Sequence, residues 1–133
     1  MPLALVPRVS AKQRVAALLL DNLVILGWMA LLAVGSLVPN ALSGGDPDVL
    51  GVLGPVDAQA VFFLLLTLPA GLYLYFGESS SAQASSGKQR LGLMVRRIDG
   101  HRPSRGQVAI RTVVKLLPWE VAHTFVWQMQ AVF

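Results

Sequence analysis

The chain has 133 residues, room for one domain. Hydrophobic residues make up 54% of it and charged residues 14%, against about 25% charged in an ordinary soluble domain. With a mean hydropathy of +0.59, this balance excludes disorder, collagen and coiled coil, and the long apolar runs exceed what so small a soluble fold can hide.

The net charge of +4 in so apolar a chain points to membrane topology and anionic lipid headgroups before nucleic acid. There is no Cys, hence no disulfide, no thiolate metal site and no Cys nucleophile.

Residues 15–38 hold one ionisable group, Asp21, and no interior Pro. As a helix they extend about 36 Å, enough to cross the hydrocarbon core with tilt. A cleaved leader is the competing reading, with Arg8, Lys12 and Arg14 as its basic start, but Asp21 interrupts the apolar core a leader needs. Residues 39–57 carry Asp46, Asp48 and Asp57 and no Lys or Arg, and their Gly, Pro and Ser content predicts an irregular loop. Residues 58–77 carry no charged side chain, include Phe62-Phe63-Leu64-Leu65-Leu66, and form the second expected span. Pro69 and Gly71 predict a kink within it, and Tyr73, Tyr75 and Phe76 an interfacial aromatic belt at its end.

Residues 78–103 form a basic segment. Its first part, 78–87, is mostly Ser, Ala, Gln and Gly and reads as a flexible linker. Leu91, Leu93 and Val95 alternate with Gly92, Met94 and Arg96, a short strand signal closed by the turn Asp99-Gly100. Lys88, Arg90, Arg96, Arg97, Arg102 and Arg105 all follow the second span, and Arg8, Lys12 and Arg14 precede the first. This asymmetry places the N-terminus and the basic segment in the cytoplasm.

A third helical region, 104–133, begins at Pro103-Ser104. Ser104, Gln107, Arg111 and Lys115 line one polar stripe of an otherwise apolar helix, suited to the interface or to a charge inside a bundle. Pro118 limits or kinks it, and the 15 residues beyond, with Trp119 and Trp127, extend only about 22 Å. The expected fold is an all-α integral membrane protein of one domain over 1–133. It has two transmembrane helices and a C-terminal amphipathic or partly inserted third helix, broken near Pro118.

Among chemically capable residues, Asp21 stands out. A carboxylate at mid-helix costs roughly 2.5–3.5 kcal/mol on insertion scales and needs a partner or water. Arg14 lies two turns earlier, about 10 Å along the axis, and Arg111 or Lys115 are alternative partners. Two readings stand: a structural ion pair between helices, or a proton or cation site. Glu120 and His123 form Glu-x-x-His, but no second such pair completes a di-metal site, so no metal and no cofactor is expected. Ser86-Gly87-Lys88 lacks the upstream Gly and following Ser or Thr of a phosphate loop. The cluster Arg96, Arg97, Arg102 and Arg105 has no interleaved aromatic residue, so no nucleic-acid partner is expected. Ser, His and Asp form no triad, so no enzyme is expected.

In order along the chain, these residues resemble the RDD family of bacterial membrane proteins, named for one Arg and two Asp. Arg14 and Asp21 match its first helix. Tyr75-Phe76-Gly77-Glu78 match the end of its second. Gly87-Lys88 followed by Gly92-Leu93-Met94-Val95, then Asp99-Gly100 and Arg111, match the later pattern. The similarity covers about residues 8 to 127, with Ser85-Ser86 where relatives commonly have Thr-x. It implies a multi-pass protein of the bacterial cytoplasmic membrane, with transport, including cation–proton exchange in some members, as the associated activity. The expected function is therefore movement of an ion or small solute. Two or three helices cannot line a pathway alone, and Gly27, Gly35, Ala30 and Ala33 offer small surfaces for association as a homo-oligomer or with a partner membrane protein. The alternative is a non-transporting scaffold or accessory subunit in which Arg14, Asp21 and Arg111 are structural.

Overall fold

The structure, a computed structural model, describes residues 9–42, 44 and 55–130. Arg8, Asp46 and Asp48, most of the expected first loop, and the last three residues of the third region lie outside the described residues.

Helix α1 (Ala11–Leu42) exceeds the expected span at both ends. Its start is fixed by a reciprocal cap. The Gln13 N–H donates to Ser10 Oγ at 3.2 Å, and the Ser10 N–H donates to Gln13 Oε1 at 3.1 Å. The second apolar segment is helical throughout, as α2 (Pro55–Phe62), a π-helical turn (Phe63–Thr67) and α3 (Leu68–Ser79). The segments Ala11–Val38 and Val56–Ser79 are long and apolar enough to cross a membrane.

The expected irregularity at Pro69 takes a specific form. Proline has no N–H to give to the carbonyl four residues back, that of Leu65. The Trp28 indole Nε1–H of α1 donates to that carbonyl instead, at 2.7 Å. The widened turn lies just before it, where the Leu68 N–H donates to the Phe63 carbonyl, five residues back.

Residues 78–87 are not a flexible linker. Glu78, Ala84, Ser85 and Gly87 are buried, and the turn closes when the Ala84 N–H donates to the Gly77 carbonyl at 3.1 Å. Gly77 permits this approach, since a Cβ there would stand 2.9 Å from Ser85 Cα. A short helix, α4 (Ser86–Arg90), follows. The expected strand at 91–95 is also absent, because no second strand lies alongside it among the described residues. Instead the Val95 N–H donates to the Gln83 carbonyl at 2.8 Å and ties this stretch to the turn.

Helix α5 (Arg105–Gln130) starts from a second reciprocal cap between Ser104 and Gln107, with bonds of 3.2 and 2.9 Å. It runs through Pro118 without interruption, so the expected break is corrected to one 26-residue helix. A proline removes one backbone bond, and polar contacts beyond it hold the second half in line: Gln59 Nε2 donates to Thr124 Oγ1 at 2.7 Å.

Helix α1 packs chiefly on α4, while α5 lies along α2 and α3. The burial pattern is inverted relative to a soluble protein. Leu23 and Leu31 are more than 60% exposed, whereas Asp21 is 5% and Glu78 1% exposed. Most of the buried apolar positions are small, Ala17, Ala58, Ala70 and Ala84, beside Val95 and Val108. Outward Leu with inward Ala and carboxylates is the packing that lipid selects, because apolar side chains gain nothing by leaving hydrocarbon while polar groups must find partners.

Candidate functional site

The polar interior has three levels. The first is built on Asp21. Its Oδ1 accepts from the Tyr73 hydroxyl at 2.8 Å and from the Gly87 N–H at 2.9 Å, and its Oδ2 accepts from the Ser85 hydroxyl at 2.5 Å. Tyr73 and Ser86 hydroxyls also bond to each other. The approach depends on Gly87. A Cβ there would stand 2.4 Å from the Ala17 carbonyl oxygen and 2.8 Å from Asp21 Oδ1. Helix α1 is thus joined to α4 through one carboxylate and neutral donors.

The second level is Glu78, whose side chain is wholly buried. Its Oε1 accepts from the ammonium groups of Lys88 and, at 2.6 Å, Lys115. Its Oε2 lies 3.6 Å from Arg111 Nε. One buried carboxylate therefore gathers cations from α4 and α5 at the end of α3. Long Lys and Arg stems allow this while their heads stay partly exposed.

The third level lies deeper along α5. The Thr67 hydroxyl, at the end of the π-helical turn, donates to Glu120 Oε1. Thr124 Oγ1 donates to the Glu120 carbonyl at 2.9 Å while accepting from Gln59. His123 Nδ1 lies 3.0 Å from the Trp119 carbonyl, and the two rings stand 4.4 Å apart. Between the second and third levels, Thr112 Oγ1 is buried with no hydrogen-bond partner among the described residues.

Two cavities flank Thr67. A cleft of about 1080 Å³ opens between α1 and the α3–α5 pair. It is lined toward the start of α1 by Arg14, Asp21, Lys88, Arg96, Arg111 and Lys115, and farther along by Ile25, Met29, Leu66, Thr67 and Trp119. A pocket of about 10 Å³, room for about one water, lies on the other side among Gln59, Phe62, Thr67, Glu120 and His123. Leu66, Thr67 and Trp119 belong to both walls.

Several expected placements change. Asp21 and Arg111 are not bonded. The acceptor positions of Asp21 are occupied by the α4 joint, and Arg111 reaches Glu78 instead. Arg14 makes no ion pair among the described residues and lies on the cleft wall. The polar stripe of α5 does face a buried charge, and that charge is Glu78. Tyr73 points inward to Asp21 and is no part of an interfacial belt; Tyr75 and Phe76 remain together, ring centroids 5.3 Å apart. Glu120 sits inside α5. Asp99 is remote from the interior, pairing with Arg97 at 3.0 Å and accepting from the His101 N–H at 3.0 Å. Thr67, Gln59 and Thr124 were not singled out from the sequence, and Ser85 appeared only as a departure from the family pattern. That pattern, through Ser85-Ser86 and Gly87-Lys88, marked the region of α4.

No curated protein and no solved structure matches the chain. A family-level comparison matches residues 8–133. That match covers nearly the whole sequence and includes the carboxylate of α1, the Gly-Lys pair of α4 and the basic stripe of α5, and by it this chain belongs to the RDD family.

Proposed function

We propose that this is a multi-pass protein of the bacterial cytoplasmic membrane, N-terminus inside, that passes a proton or small cation along the interface of α5 with α2 and α3. The observation that carries this reading is the row of polar groups on that interface, Gln59–Thr124, Thr67–Glu120, Thr112 and Glu78–Lys115. From Gln59 to Glu78 the helix rises about 28 Å, close to the ~30 Å hydrocarbon thickness. The cleft brings water from the basic side as far as Thr67, and the small pocket continues toward Gln59. Glu120, which accepts from the Thr67 hydroxyl and pairs with no cation among the described residues, is the carrier. Asp21 and Glu78, held by several donors each, are structural. In this reading α5 crosses the membrane as a third helix. The pathway has lipid on its outer side, so self-association closes it.

The second reading, a non-transporting scaffold or accessory subunit, is favoured by the donors already gathered on Asp21 and on Glu78 Oε1. Flux of protons and monovalent cations into proteoliposomes containing only this chain separates the two. Transport predicts flux in the wild type and its loss in Glu120→Gln at unchanged thermal stability. A wild type without flux leaves the scaffold reading. For topology, Cys at Ser80 or Gly100 should be protected from an impermeant reagent in intact cells, and Cys in the Asp46–Asp57 loop labelled. The reverse pattern overturns the orientation.

A further inference from the structure

We propose that the cleft between α1 and the α3–α5 pair binds one anionic phospholipid, its phosphate at Arg14 and Arg96 and an acyl chain along the apolar wall. The proposal rests on the membrane segments and the cleft, and does not require transport.

Charge is the first argument. Five cations line the cleft, Arg14, Lys88, Arg96, Arg111 and Lys115. Glu78 draws on three of them, Lys88, Lys115 and Arg111. The other carboxylate, Asp21, is satisfied by hydroxyl and amide donors. No carboxylate lies on Arg14 or Arg96 among the described residues; Arg96 donates only to neutral groups, from Nε to Met94 Sδ at 3.0 Å and from Nη1 to the Gly100 carbonyl at 3.3 Å. The cleft therefore keeps a surplus of positive charge at one end, where an anion is accepted without disturbing an existing pair. Two arginines can grip phosphate oxygens through paired N–H groups.

Shape is the second argument. Beyond the cations the wall is apolar, with Leu18, Ile25, Met29, Leu66 and Leu74. From Leu18 to Met29 the helix rises about 16 Å, near half the ~30 Å hydrocarbon core, the depth of one leaflet. At about 1080 Å³ the cleft is far larger than a phosphate needs. A charged mouth over a leaflet-deep apolar wall fits an anionic amphiphile, and in this fold the amphiphile at hand is lipid. A helix from a second copy would cover the apolar wall but brings no anion, since α1 and α5 both carry basic residues at this same end. A lipid in the cleft competes with the water entry suggested above. The two readings are tested apart, because lipid retention is measured on purified protein without a gradient.

The test is native mass spectrometry of the full chain in mild detergent, incubated with phosphatidylglycerol, phosphatidylcholine or inorganic phosphate. A single phosphatidylglycerol adduct is expected, with little phosphatidylcholine retained and no protection by phosphate alone. At about 1 kcal/mol per basic residue, each arginine contributes about fivefold, so Arg14→Gln with Arg96→Gln should cut the preference about 25-fold. Arg90→Gln with Arg105→Gln, exposed and outside the cleft, should leave it unchanged. Ile25→Trp, which fills the wall and keeps every charge, should weaken retention. Equal retention of the two lipids overturns the proposal. So does an equal loss in the Arg90/Arg105 variant, which would mean general surface attraction, or phosphate binding as well as lipid, which would mean a site for the free anion.

Discussion

Asp21→Asn measures what the carboxylate contributes to the joint between α1 and α4. Asparagine keeps an oxygen for the Tyr73 hydroxyl and the Gly87 N–H, and presents an amide where Oδ2 accepts from Ser85. The Ser85 hydroxyl can rotate and accept from that amide. What is lost is the charge-assisted share of three bonds, about 1 kcal/mol each. A neutral amide is less costly to bury, so the net destabilisation is about 1–2 kcal/mol. Asp21→Ala removes the acceptor altogether and leaves the Ser85 hydroxyl and Gly87 N–H buried without a partner. At about 1–3 kcal/mol for each of the two orphaned groups the cost rises to about 2–6 kcal/mol. Thermal unfolding in detergent reads both, at about 3–6 °C per kcal/mol for a chain of this size. The informative comparison is between two double-mutant cycles. Asp21→Asn with Arg111→Gln should be additive within about 0.5 kcal/mol, because those side chains are not bonded. Asp21→Ala with Ser85→Ala should be coupled by about 1 kcal/mol or more, because the second change removes the orphan left by the first. Strong coupling of Asp21 to Arg111 and none to Ser85 would refute the assignment of partners.

Three further outcomes follow from the same structure. Glu78→Gln should destabilise by about 2–4 kcal/mol in the same assay, below the full penalty for breaking a buried pair, because Lys88, Lys115 and Arg111 can turn toward water; unchanged melting would show that the cluster is not a clamp. Gly87→Ala should cost about 2–4 kcal/mol, since its Cβ meets the Ala17 carbonyl and α1 must withdraw from α4, and protease cleavage after residue 85 should accelerate. Trp28→Phe should cost about 1–2 kcal/mol by leaving the Leu65 carbonyl unpaired, and adding Pro69→Ala should return most of it by supplying the missing N–H; no recovery in that double variant would mean that Trp28 acts by packing.

The membrane segments were legible because they depend on local composition. A run such as Phe62-Phe63-Leu64-Leu65-Leu66 has one favourable surroundings whatever it packs against. The start of α5 at Pro103-Ser104 was equally readable, since a helix start is settled within one turn. The partners of Asp21 were not, because they lie 52, 64 and 66 residues away in sequence. Two of them belong to a Ser- and Gly-rich stretch whose composition is that of a linker. Burial converts such residues into donors, and burial is decided by α1. Glu78 looked like the polar end of a span, and only the fold brings α5 back to lay Arg111 and Lys115 on it. The polar stripe of α5 was visible, but a stripe says that a partner exists and not which one. Pro118 misled because its cost is local, whereas contacts that hold α5 beyond it come from Gln59 and Thr67 of the second apolar segment.

The long sequence separation within the Asp21 joint has a consequence in time. The ribosome makes Ser85 and Gly87 64 and 66 residues after Asp21. At roughly 5–20 residues per second, α1 exists for about 3–13 s before its carboxylate can find them. During that interval the helix is apolar enough to enter the bilayer but carries an unaccompanied charge, so its hold there is provisional. Emergence of α4 then makes insertion final. Nascent chains arrested before Ser85 has left the ribosome should therefore leave Cys at Leu20 or Asn22 open to aqueous alkylation, whereas chains arrested after Arg90 has left it should protect both. Protection of equal strength at the two lengths would mean that α1 settles without waiting for its partners.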